Sequence, residues 1–193
     1  MELQFPESDI PSLEKEYWEY FENKFPRQAE RERRLINMRD EVSEQRHLTI
    51  DKLEEVALWV ISSDVLRRHS VRIKDNCENA VREITGCALQ SEDERVRYSV
   101  MTRSPQAGGL HGVGPVIATA ILHLFHKDLY PFLTPQATKA VGKQKKESFK
   151  FWQKYVTYCR TLANSNNQQM PTFEQMRTLD RALWWYSEKD DKK

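Results

Sequence analysis

Apolar positions along this chain recur mainly at the three- and four-residue spacing of a helix, and nowhere do they alternate convincingly as a strand requires. Residues 12–24 place Leu13, Tyr17, Tyr20 and Phe21 on one face, and Pro26 ends that element. Residues 27–46 read as one long helix of alternating charge, with a thin stripe of Leu35, Met38 and Val42; such a pattern predicts a peripheral, solvated element. Thr49 is placed to cap a helix running to Ile61, with Leu53, Val56, Ala57 and Val60 inward. Two shorter helices follow over 77–89 and 91–101, the second with Ser91 and Glu94 at capping-box spacing. Residues 116–125 are apolar nearly all round, which predicts a buried central helix. Thr134 and Pro135 open a short helix to Val141. Residues 147–163 carry a stripe of Phe149, Trp152, Val156, Cys159 and Ala163. The last helix begins at Thr172, boxed by Gln175, and turns Phe173, Met176, Leu179, Leu183 and Trp184 inward. The expectation is an all-α, compact, two-lobed bundle forming one domain over 1–193, with peripheral helices over 1–48 and the core over 49–193.

Composition narrows the function classes. The 193 residues include only 6 glycines, well under the usual share of about 7%. That poverty argues against sandwiches, barrels and doubly wound sheets, whose turns need positive φ. Neither G-x-G-x-x-G nor G-x-x-x-x-G-K-[ST] occurs, so no nucleotide cofactor is expected. Apolar residues make up 39% and charged residues 31%, with mean hydropathy −0.76, a polar chain whose 5 Trp, 7 Tyr and 8 Phe still supply a core. The acidic start, Met1 to Glu7, lacks the apolar run of a signal peptide, and the 116–125 stretch is too short to span a bilayer. Cys77, Cys87 and Cys159 show no metal-type spacing and cannot all pair. These features predict an intracellular, reduced protein without a membrane partner, nuclear in a eukaryote and cytoplasmic in a bacterium.

The net charge of +1 conceals a polarity along the chain. Residues 1–94 hold 14 basic and 22 acidic side chains. Residues 95–160 hold 11 basic ones (Arg95, Arg97, Arg103, Lys127, Lys139, Lys143, Lys145, Lys146, Lys150, Lys154, Arg160) against Asp128 and Glu147 alone. A basic segment of this kind is the footprint of a nucleic-acid face, or the match of the acidic first half.

Within that segment lie four of the six glycines: Gly108, Gly109, Gly112 and Gly114. Gly112 and Gly114 bracket Val113 directly before the apolar helix, with Pro115 at its first position. Glycine there lets backbone approach a ligand, and a helix N-terminus presents unpaired N–H groups and a positive dipole end. An anion such as a DNA phosphate suits that geometry; a tight helix–helix corner needing glycine for sterics is the other reading.

Leu110-His-Gly-Val-Gly-Pro-Val-Ile-Ala-Thr-Ala resembles the hairpin of the helix-hairpin-helix DNA glycosylase superfamily, the endonuclease III-like base-excision enzymes, whose pattern is L-x-G-V-G-x-x-x-A. The follow-on Tyr130-Pro-Phe-Leu-Thr-Pro-Gln-Ala-Thr-Lys-Ala-Val-Gly142 is similar to the family's next block in spacing, and Leu179 to Trp184 and the Trp59 region also look like that superfamily. The resemblance is carried mainly by residues 95–142. It implies duplex DNA as partner, contacted through Gly112, Val113, Gly114, Pro115 and Val116, with Lys139, Lys143, Lys145 and Lys146 nearby. It also implies hydrolysis of an N-glycosidic bond at a modified or mispaired base. No iron–sulfur cluster is expected, because the four-cysteine loop is missing; a monovalent cation at the hairpin is allowed.

Two departures bear on the chemistry. Thr134 stands where the family has its catalytic aspartate; it can cap a helix but supplies neither negative charge nor base. Val116 stands where bifunctional members have a Schiff-base lysine, so a lyase step is not expected. Replacement carboxylates are Asp180, whose plainer reading is an ion-pair partner of Arg177 or a polar anchor, and Asp128, whose plainer reading is an exposed loop residue. His123 and His126 have a spacing that can bind metal but show no third ligand, and His111 is either a phosphate donor or simply exposed. Trp59 and Trp185 are candidates for a pocket around an extruded base, and are equally readable as packing. The function classes are therefore a glycosylase-like DNA-binding protein, a catalytically silent sensor or adaptor that keeps DNA binding, and a helical protein-interaction module.

Overall fold

A computed structural model describes residues 1–60, 72–144, 148–164 and 171–190. Among them the regular elements are all helical: α1 (Ile10–Lys24), α2 (Pro26–Asn37), α3 (Arg39–Gln45), α4 (Ile50–Val60), α5 (Glu78–Gln90), α6 (Glu94–Thr102), α7 (Pro115–Phe125), α8 (Pro135–Ala140), α9 (Phe149–Ala163) and α10 (Phe173–Asp190). The all-α expectation is met. The chain divides into two compact units, one of residues 1–26 and 129–193, the other of residues 27–128.

In the first unit, α1, α8 and α9 each pack against α10. Leu13, Tyr17 and Phe21 of α1, Trp152 and Tyr155 of α9, and Met176, Leu179 and Leu183 of α10 are buried there. Thr172 and Gln175 form the expected capping box, Gln175 N–H to Thr172 Oγ1 at 3.2 Å and Thr172 N–H to Gln175 Oε1 at 2.7 Å. The first residues lie across the end of α8, Glu2 N–H donating to Val141 O and Gln4 N–H to Ala140 O.

In the second unit α7 is central, packed by α3, α4, α5 and α6, with all nine residues from Ile117 to Phe125 buried. The single charged helix expected over 27–46 is two helices, interrupted where ψ at Met38 opens to −7°. Nor are these helices solvated sleeves: Ala29, Glu32, Leu35 and Val42 are buried, because one stripe of each must cover the apolar core. Thr49 does cap α4, its Oγ1 accepting from Lys52 N–H at 3.3 Å. Ser91 does not cap α6. Its N–H already closes α5 onto Cys87 O, and Asp93 takes the cap, accepting from Arg95 and Val96 N–H.

Candidate nucleic-acid interface

The glycine-rich hairpin lies in the second unit and is built from backbone requirements. After α6 a short 3-10 turn over Pro105–Ala107 closes with Ala107 N–H and Gly109 N–H both on Ser104 O at 2.9 Å. Gly108 and Gly112 adopt φ of +80° and +77°, the left-handed region that glycine enters without cost. Gly109 is needed for a different reason: a Cβ there would lie 2.0 Å from Arg103 O. Leu110 and Val113 point into the core, 2% and 7% exposed, so the turn is pinned from below. It is also pinned from the side, by a residue that sequence reasoning missed. Asn76 accepts from His111 N–H at 2.8 Å and donates to His111 O at 3.0 Å, gripping both backbone groups of that residue as a neighbouring strand would. No spacing rule joins residues 35 apart, so the clamp has no local signature.

Gly114 is the N-cap of α7 in extended conformation, with no side-chain cap, and a Cβ on it would meet nothing within 4 Å. Pro115 has no N–H to lose, and the next two donors, Val116 and Ile117, have no intrahelical acceptor. The arrangement offers a helix's positive end beside open space. His111 is exposed at the rim.

The other residues singled out by the sequence divide between the two units. Thr134, Lys139, Lys143, Asp180 and Trp185 belong to the first; Trp59, Asp128 and the hairpin belong to the second. Lys145 and Lys146 lie outside the described residues. Thr134 caps α8, its Oγ1 accepting from Ala137 N–H at 3.0 Å. Lys139 and Lys143 are exposed. Asp180 is 4% exposed, and both its oxygens accept from Phe132 N–H at 3.2 Å, which makes it an anchor for the loop ahead of Thr134. Beside it burial, followed by the Asp180 charge, holds the Cys159 thiol well above its usual range. The Tyr155 hydroxyl is raised too, by burial first and then by Cys159 and Asp180.

Asp128 is not a free loop carboxylate, because its Oδ2 receives Arg97 Nη1 at 2.7 Å. Arg97, expected within the basic face, is 2% exposed and also lies 3.7 Å from Glu92. Lys127 is tied to Glu92 at 3.0 Å, and Arg160 stacks on Tyr130 while donating to Leu129 O. Arg95, Arg103, Lys139, Lys143, Lys150 and Lys154 remain exposed.

His126 terminates α7 in an extended conformation, off the helical register of His123, and both rings are buried. His126 Nδ1 accepts from Asp128 N–H at 2.9 Å. Burial, helped by Arg97, lowers its pKa to about 4 against the opposing pull of Asp128. No group of three or more metal-ligating side chains occurs among the described residues.

The two pocket tryptophans are also engaged. Trp59 is buried, its Nε1 donating to the fully buried Glu32 at 3.3 Å. Trp185 donates to Glu16 Oε2 at 2.7 Å and packs on Tyr20, ring centroids 4.6 Å apart. Among the described residues no helix is long and apolar enough to cross a membrane. Set against protein-family models, curated proteins and solved structures, the chain matches none of them.

Proposed function

We propose that this chain is a duplex-DNA-binding protein of the helix-hairpin-helix glycosylase type, contacting the phosphodiester backbone through the Gly112–Val116 turn. The observation that carries the reading is the end of α7, where an uncapped helix N-terminus at Gly114 faces open space inside a turn held by glycines and by Asn76. A modified or mispaired base is the recognition target that the resemblance implies. The silent, sensor-like form of this function is favoured over hydrolysis by what the residue at the family's aspartate position and the two replacement carboxylates do. Thr134 is occupied as a cap, Asp180 as a backbone anchor and Asp128 as the partner of a buried arginine.

The test uses Gly114→Asp. Aspartate at an N-cap stabilises the helix by about 0.5–1 kcal/mol through capping and dipole attraction. The same charge repels a phosphate. Fluorescence polarisation on a labelled duplex should therefore show affinity falling about tenfold or more, and the slope of log K against log salt dropping by about 0.9, in a protein that melts higher. Equal affinity in the stabilised variant would overturn the hairpin contact. A panel of duplexes with damaged bases, followed by alkali, reads the hydrolytic arm: strand scission at any of them displaces the silent reading.

A further inference from the structure

We propose that a groove on the second unit is a binding site for a small organic acid, an apolar body bearing one carboxylate, with Arg46 as its anchor. The groove encloses about 300 Å³, at the lower end of the range used by small-molecule sites. Its floor is Val42, Leu89 and Phe125, at 0%, 9% and 6% exposure, and Arg46 and Lys127 stand on its rim.

Arg46 ends α3 at φ 57° and ψ 24°, the one non-glycine residue with positive φ among those described. A left-handed helix end is ordinarily given to glycine, because a Cβ there is strained. The surroundings hold this turn in place. Leu48 N–H donates to the buried Thr85 Oγ1 at 2.9 Å, and Gln90 Nε2 donates to Arg46 O at 3.4 Å. Strain that is built in and held is a mark of a functional position. Nothing in the backbone asks for arginine, and among the described residues its exposed guanidinium has no hydrogen-bond or ion-pair partner.

The charge around the groove selects the ligand. Lys127 is neutralised by Glu92 at 3.0 Å, and Glu92 also lies 3.7 Å from the buried Arg97. One uncompensated cation thus faces the groove beside one carboxylate, which suits a monoanion and disfavours a phosphate dianion. A planar carboxylate matches the guanidinium fork in two hydrogen bonds. The apolar body would then lie over Leu89 and Phe125.

The experiment is a titration of the ¹⁵N-labelled protein with 4-phenylbutyrate, alongside 4-phenylbutan-1-ol and inorganic phosphate. For a ligand of this size the expected Kd is on the order of 1 mM, with amide shifts confined to the turn at Arg46 and to Gln90, Phe125 and Lys127. The alcohol should bind about tenfold more weakly or worse. Arg46→Gly relieves the strained φ and should raise the melting temperature by about 2–4 °C, while weakening 4-phenylbutyrate at least about tenfold; Arg46→Lys should fall between. Overturning results are an alcohol that binds as well as the acid, shifts elsewhere or none, unchanged binding by Arg46→Gly, or phosphate alone reproducing the same shifts.

Discussion

Gly109→Ala is the sharpest test of how the hairpin is built. The added methyl carbon would lie 2.0 Å from Arg103 O, 2.6 Å from Arg103 C and 3.0 Å from Arg103 Cβ, where ordinary contact begins near 3.4 Å. Two of those atoms are backbone, so no rotamer change relieves the clash. The turn must open instead, and opening it endangers the bonds of Ala107 and Gly109 to Ser104 O at 2.9 Å and of Gly108 to Pro105 O at 3.0 Å. Overpacking of this kind costs about 1–3 kcal/mol, and each hydrogen bond lost adds about 0.5–1.5 kcal/mol net. Partial relaxation and water at the exposed turn hold the total to about 2–4 kcal/mol. In a chain of this length that lowers the melting temperature by about 4–16 °C. Differential scanning calorimetry reads the shift, and Gly114→Ala is the control. A Cβ at 114 meets nothing and the residue is already extended, so the control costs about 1 kcal/mol or less, the preference of an N-cap for glycine over alanine. A Gly109→Ala protein melting within the spread of that control would refute the close approach of Arg103.

Two further outcomes follow from the same physics. Thr134→Ala removes the acceptor at the start of α8 and should cost about 1 kcal/mol, whereas Thr134→Asp keeps an acceptor there and should leave the unfolding free energy from denaturant titration within about 0.5 kcal/mol of the parent. For His126, whose pKa falls from 6.5 unfolded to about 4 folded, the native state binds the proton less readily than the unfolded chain. Its contribution is complete above pH 6.5 and is lost as pH falls from there to about 4, by up to about 3 kcal/mol. Urea titrations of wild type and His126→Asn across that window should diverge, the variant losing less stability; parallel curves would sink the assignment.

Much of the fold was legible because the signals are local. Helical periodicity located α1, α7, α9 and α10, and the chain's own side chains marked ends at Thr49, Thr134 and Thr172, where the bond closes within three residues. The capping-box spacing at Ser91 misleads, because two helices compete for one residue and Asp93 is better placed. Arg27 to Arg46 looked peripheral because charge dominates its composition, yet one buried residue per turn is enough to carry a helix into a core, and Leu35 and Val42 are fully buried.

By itself, then, the sequence determined the all-α class, the burial of the central helix and the crowding of glycine ahead of it, since each depends on residues adjacent in the chain. Tertiary structure alone decided which charges are available. Arg97 and Asp128 stand 31 residues apart and neutralise each other at 2.7 Å; Asp180 is spent on Phe132 N–H from 48 residues away. Charged and polar groups taken from water must find partners, and the nearest partner in space is not the nearest in sequence. The same rule made Asn76 the keeper of the hairpin and left Arg46, in a conformation suited to glycine, with a guanidinium that has no hydrogen-bond partner among the described residues.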